Sequence, residues 1–165
     1  MAKCSVRMKN TEAALRWIVG ILQGRDIPFE VGGGFAASLY GATRELADID
    51  LVTPEGRFSE LLSDVKEHIK FGPAQYRDEN WDLLLMTLCY EGQDIDIGGA
   101  YTARMFDRNT KEWISLKTDF SRTTPIEVYG LRIPVMKRED LVAYKKMLGR
   151  EVDQVDLEQM AQAES

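Results

Sequence analysis

The sequence is poor in the residues that build transition-metal sites and covalent frameworks. It holds one histidine, His68, and two cysteines, Cys4 and Cys89, which lie far apart without metal-ligand spacing. We therefore expect neither a zinc site nor a disulfide. It also lacks any apolar run near the roughly 20 residues that a bilayer span needs. Its first ten residues, MAKCSVRMKN, lack the apolar core of a signal peptide, so a cytoplasmic protein is expected. Positive charge is in deficit: 21 Lys and Arg against 27 Asp and Glu give a net charge of −6. That balance argues against broad non-specific nucleic-acid binding, which needs many cation–phosphate contacts, but leaves room for a local basic groove. There are no low-complexity tracts or Pro/Ser-rich linkers, and 165 residues suit a single domain covering 1–165.

What is present reads as alternating strands and helices. Asn10 and Thr11 form a helix-cap signal, and Leu15, Ile18, Val19 and Leu22 follow at helical spacing up to Gly24. A short strand, Phe29 to Val31, runs into three glycines; a helix over Phe35 to Tyr40 stops at Gly41. Ala47 to Val52 reads as a strand closed by Pro54, and Phe58 to Ile69 as an amphipathic helix. Farther on, Leu83 to Tyr90 and Asp94 to Ile97 suggest a hairpin, as do Ile126 to Tyr129 and Leu131 to Pro134 around Gly130. Residues 100–120 carry no clear pattern, and two helices, 138–148 and 151–162, close the chain around Gly149.

The Asp-Ile-Asp triplet occurs twice, at 48–50 and 94–96. On a strand, residues two apart share a face, so Asp48 and Asp50 project together, as do Asp94 and Asp96. Like charges about 7 Å apart on a partly buried face repel, and desolvation worsens the repulsion. If the two strands pair, three or four carboxylates converge, and a divalent cation relieves them. Mg²⁺ suits all-oxygen ligands and keeps positions for substrate phosphates. A single such triplet is also compatible with solvated acids on an exposed sheet face.

Gly32, Gly33 and Gly34 stand between a strand and a helix, where the missing Cβ lets backbone approach a ligand and free N–H groups can receive phosphate. A rival reading exists. Gly32-x-Gly34-x-x-Ala37 satisfies the dinucleotide-binding fingerprint, with an acid near the expected distance downstream. The short intervening helix and the hairpins beyond residue 80 speak against that Rossmann-type, NAD-binding alternative.

In order, Gly33-Gly34, Asp48-Ile49-Asp50 and Ile95-Asp96-Ile97 resemble the signature of the nucleotidyltransferase superfamily, which includes DNA polymerase beta and the CCA-adding enzymes. Ala36, Gly41 and Arg44, then Pro134, Leu141, Lys145, Arg150, Asp153 and Asp156, extend the resemblance toward minimal bacterial AbiEii-like transferases. The resemblance spans about residues 27–157. It implies an α+β fold: a mixed β-sheet with helices packed on it, plus C-terminal helices. It implies Mg²⁺ held by Asp48, Asp50 and Asp96, with Asp96 also activating the acceptor hydroxyl. Gly33, Gly34, Arg44 and Lys145 would bind the NTP. The implied reaction moves a nucleoside monophosphate to an acceptor that could be RNA, protein or a small molecule. Toxin–antitoxin pairing would add an antitoxin protein as partner. A catalytically silent nucleotide- or partner-binding module of the same fold is the alternative. Arg44 in a salt bridge with a nearby acid, Lys145 on a solvated helix face, and Arg150 paired with Asp153 and Asp156 are the purely structural readings. His68 is expected at the surface, Asp94 beside the metal site or exposed, and Trp17, Trp81 and Trp113 in the core or at its edges. For Tyr40 and Tyr101, core packing is favoured over stacking on a base.

Overall fold

The computed structural model describes residues 8–164. Its elements run α1 (Thr11–Gly24), β1 (Glu30–Gly32), α2 (Gly33–Leu39), β2 (Asp48–Thr53), α3 (Phe58–Val65), β3 (Ile69–Arg77), β4 (Trp81–Tyr90), β5 (Gln93–Gly99), β6 (Ala103–Asp107), β7 (Glu112–Leu116), β8 (Thr123–Val128), β9 (Leu131–Met136), α4 (Arg138–Leu148) and α5 (Glu151–Glu164). The nine strands form one mixed sheet in the order β7-β6-β4-β5-β2-β1-β9-β8, with β3 paired to β4. This is the α+β architecture expected, and the two C-terminal helices are in place.

Alternation along the central strands separates two faces. On β2, Ile49, Leu51 and Thr53 are buried while Asp48, Asp50 and Val52 are half-buried. Ile49 and Leu51 join Val31, Ile95 and Ile97 in a core with Leu15, Ile18 and Leu22 of α1 and Phe58, Leu61 and Val65 of α3. Burying each such side chain contributes about 1.5–3 kcal/mol, which fixes the register of these strands and therefore sends the aspartates to the opposite face. The first helix is capped as expected: the Asn10 side chain accepts from the Ala13 N–H at 3.0 Å.

Several expectations need correction. The helix expected over 58–69 ends at Val65, and its last residues pass through a short 3₁₀ turn into β3. The amphipathic spacing of Phe58, Leu61 and Val65 continues by chance into residues whose backbone pairs with β4. The unreadable stretch, 100–120, contains the β6–β7 hairpin, with Phe106 opposite Trp113; exposed and apolar positions mix there because the hairpin lies at the sheet's end. Strands β8 and β9 are each longer than the hairpin read from sequence, and α2 begins at Gly33 rather than Phe35.

His68 is no isolated surface residue: its ring packs against Trp17 and Tyr90, and Trp17 stacks on Tyr90 with centroids 4.4 Å apart. Cys89 is disulfide-bonded, contrary to expectation; Cys4 lies outside the described residues. Tyr40 packs on the core and donates its hydroxyl to the Met136 carbonyl at 2.8 Å, whereas Tyr101 is exposed. No helix among the described residues is long and apolar enough to cross a membrane.

Candidate active site

The register of β2 on β5 decides the site. The two strands are parallel, with Asp48 opposite Asp94 and Asp50 opposite Asp96. Asp48, Asp50 and Asp96 thereby bring carboxylate oxygens within 4.8 Å of one another. Asp94 is drawn away, held by the Lys70 amino group at 2.9 and 3.1 Å. Of the four acids, three converge and one is neutralised beside them.

The triad carries its repulsion openly. Burial pushes the Asp48 carboxyl upward, and Asp94 adds to it. Burial raises Asp50 well above the usual carboxylate range, with Asp96 and Asp48 contributing and the Gly34 N–H giving partial relief. Asp96 rises to about 6, through burial and then Asp48, although the Thr87 hydroxyl donates to it at 2.8 Å. Among the described residues no Lys or Arg forms an ion pair with any of the three. An all-oxygen donor set on a desolvated, uncompensated patch fits a hard divalent cation, and offers no soft ligand for zinc or copper.

The glycine turn is shaped to this patch. Gly33 has φ of +57° and a Cβ there would overlap the Asp50 carboxylate, so both its backbone conformation and its proximity to the acid require glycine. A Cβ on Gly34 would lie 2.8 Å from Nη2 of Arg44. Gly34 donates its N–H to Asp50, so the turn helps orient a carboxylate.

A wall of cations faces the triad. Arg44 grips Asp156 with two hydrogen bonds, 2.6 and 3.0 Å. Lys145 is only 1% exposed and reaches both Asp153, at 3.2 Å, and Asp156, at 2.9 Å. Arg150 completes the chain by donating to Asp153 at 2.7 and 2.9 Å while stacking over Trp81. The salt-bridge reading of Arg44 is therefore met, the solvated-face reading of Lys145 is not, and Arg150 pairs with Asp153 rather than with both acids. Arg44, Lys145 and Arg150 also line, with the triad and the glycines, a cleft of about 670 Å³.

Sequence reasoning missed several cleft residues. Trp81 donates from its indole to the Tyr144 hydroxyl at 2.9 Å, and burial pushes the Tyr144 phenol upward. Glu30, on β1, lines the same cleft. In the sequence it is an acid inside a three-residue strand, with only its alternation with Gly32 to mark the face it takes. Antiparallel pairing of β1 with β2 also rules against the dinucleotide-binding reading, whose strand–helix–strand unit is parallel.

No protein-family model matches the sequence, and no curated protein matches it. Solved structures do resemble the fold. A candidate nucleotidyltransferase from Thermotoga maritima shares 22% identity at a TM-score of 0.71, over 97% of this chain and 98% of that one. The lincosamide antibiotic adenylyltransferase LnuA, solved with lincomycin bound, shares 12% at 0.63, over 95% of this chain and 99% of that one. ANT(2")-Ia, solved in complex with adenylyl-2"-tobramycin, shares 14% at 0.63, over 95% and 91%. The chain thus has the nucleotidyltransferase fold, carrying a convergent aspartate triad beside its glycine turn.

Proposed function

We propose that this protein is a Mg²⁺-dependent nucleotidyltransferase that moves a nucleoside monophosphate from an NTP to a hydroxyl of a small-molecule acceptor. The observation that carries the reading is the triad: three converging carboxylates, raised by burial and by neighbouring acids, with no ion-pair partner among the described residues. A fold gains nothing in stability from such an arrangement. Likeness in fold to the antibiotic adenylyltransferases supports the small-molecule acceptor, as does a cleft that would enclose a compact ligand.

Asp48, Asp50 and Asp96 would hold the cation, which supplies charge neutralisation at the phosphates when bound. Gly33 and Gly34 let the triphosphate approach the backbone. Arg44 and Lys145 turn positive charge toward it, each fixed by buried aspartates so that little reorganisation accompanies the reaction. Asp96 would accept the acceptor hydroxyl's proton. The new bond joins that oxygen to the α-phosphorus, the bond to the bridging oxygen breaks, and pyrophosphate leaves with its electron pair. Positioning and electrostatics carry the catalysis.

The test is transfer from α-labelled ATP, CTP, GTP and UTP with Mg²⁺, offering a hydroxyl-rich small-molecule mixture, total tRNA and lysate protein, in the native chain and Asp48→Ala. Label on small molecules, lost in the variant, is the expected result. Label on tRNA or protein would move the acceptor class and reopen a toxin–antitoxin role. Nucleotide binding without transfer would favour the silent module, and no nucleotide binding would end the transferase reading.

A further inference from the structure

The four aspartates of the two triplets share one sheet face, yet only three of them converge. Asp94 lies opposite Asp48 on the parallel strands β5 and β2, in the same relation that sets Asp96 against Asp50. Strand spacing leaves its backbone about 4.8 Å from that of Asp48, close enough for the Asp94 carboxylate to join the triad's oxygens. Lys70 holds it elsewhere.

The way Lys70 gets there is unusual. It belongs to β3, which pairs only with β4. Between Ile69, opposite Leu88, and Phe71, opposite Thr87, that pairing slips by one residue, so Lys70 is the extra residue of a β-bulge. A bulge turns a side chain out of the alternation its strand would impose. Leu88 packs in the core, whereas Thr87 shares the face of Asp96. The bulge delivers Lys70 to that second face, where its amino group reaches over β4 to both Asp94 oxygens, at 2.9 and 3.1 Å.

Both partners are largely buried, their side chains 15% and 16% exposed. A buried ion pair returns little net stability over neutral residues of similar volume. Stability alone therefore does not account for a bulge, a lysine and a fourth acid assembled beside the triad. Of the four acids, Asp94 is the one that forms an ion pair among the described residues.

We propose that Lys70 is a positioning residue that sets the ligand count of the cation site at three by withholding Asp94, and thereby favours Mg²⁺ over larger divalent ions such as Ca²⁺. This rests on the reading of the triad as a cation site. Mg²⁺ takes few carboxylates at short, near-octahedral distances and keeps positions for water and substrate phosphates, whereas Ca²⁺ accepts about six to eight oxygens at longer, looser distances. A fourth carboxylate adds more to Ca²⁺ than to Mg²⁺. With Lys70 in place the charge of Asp94 is offset; without Lys70 the patch holds four uncompensated acids.

The test measures Mg²⁺ and Ca²⁺ binding separately, by calorimetry on the full chain without nucleotide, and takes the ratio of the two dissociation constants. Lys70→Met, which keeps the stem and removes the charge, is expected to tighten Ca²⁺ about tenfold or more relative to Mg²⁺. Adding Asp94→Asn to that variant should return the ratio to its native value, and Lys70→Arg should leave it there. A merely structural lysine would lower the thermal midpoint in Lys70→Met without moving the ratio. An unmoved ratio in Lys70→Met, or a moved one that Asp94→Asn does not restore, would overturn the proposal. If Lys70→Met fails to fold, Lys70→Gln carries the same expectation. Asp94→Asn in the otherwise native chain should keep the native ratio, because Asp94 is no ligand while Lys70 holds it; a ratio shifted against Ca²⁺ there would overturn the proposal as well. Binding of neither ion to the native chain would end the cation reading of the triad together with this one, whereas ion binding with an unmoved ratio would end the role of Lys70 alone.

Discussion

Two groups of aspartates, one half-buried in the cleft and one fully buried behind the cations that line it, are treated in opposite ways. Asp153 and Asp156, on α5, are each held by two cations: Arg150 and Lys145 for the first, Arg44 and Lys145 for the second. Burial pushes Asp153 upward, but Arg150 and Lys145 outweigh it and hold the carboxyl below its usual range. Asp48, Asp50 and Asp96 have like charges for neighbours and are all raised. The same side chain is a fully buried strut in one group and, in the other, a half-buried acid with no cation paired to it among the described residues. What distinguishes them is the charge opposite, which is why counting acids in a cleft says little until each partner is known.

The largest effect expected from breaking this comparison is on catalysis. Asp50→Asn should lower nucleotidyl transfer about 10³-fold or more, yet leave the thermal midpoint without metal unchanged or higher, because a like charge is removed. Matched kinetics and thermal melts decide it; a collapse of the fold would show Asp50 to be a strut after all. Asp156→Ala should do the converse, costing about 3–5 kcal/mol in urea unfolding, since it strands half-buried Arg44 and leaves buried Lys145 with Asp153 alone. A loss under 1 kcal/mol would mean the cations find other partners.

Next in size is the metal's own contribution. At a hundredfold excess over its dissociation constant Mg²⁺ should stabilise the native chain by about 2.7 kcal/mol, and Asp50→Asn should lose most of that gain. An equal gain in both chains would place the ion elsewhere. Gly33→Ala should cost about 1–3 kcal/mol through its left-handed backbone, and should also weaken Mg²⁺ binding by displacing the Asp50 carboxylate. Urea unfolding with and without Mg²⁺ separates the two effects.

The smallest effect is on pH dependence, and its signs sharpen the contrast. Asp96 keeps its proton up to about 6 in the fold, against an ordinary value of 3.8. Between those values the folded state binds more protons than the unfolded one, so its contribution to stability falls as pH rises through that window. Asp153, with its folded value lowered, contributes stability that is present above the unfolded value and lost as pH falls through the folded one. Melts without metal from pH 4 to 7 should show the decline in the native chain and a shallower one in Asp96→Asn; identical slopes would contradict the role given to Asp96.

Much of this was readable in the sequence where periodicity and chemistry coincide. The alternation of Asp48-Ile49-Asp50-Leu51 declares both a strand and its wet face, and the second triplet repeats it; the glycines mark a turn in which Gly33 has room and backbone for no other residue. Pairing of β2 with β5 enters the sequence reading only as a condition, since partners 46 residues apart leave no local trace. Unreadable features were those set by distant contacts. Lys145 looks like any lysine on an amphipathic helix until α5 packs against it, and His68 looks like a surface residue until Trp17 and Tyr90 close over it. β3 hides behind a helical pattern because its conformation comes from its pairing with β4.

The α5 ion-pair chain has a bearing on how the protein is made. Ribosomes deliver Arg44 long before Asp156, 112 positions later, so the glycine turn and the triad can assemble while the cation wall is still loose. Lys145 and Arg150 gain their carboxylates only once the final helix docks. A chain truncated before α5 would keep Asp48, Asp50 and Asp96 but lose the carboxylates that fix Arg44, Lys145 and Arg150 opposite them.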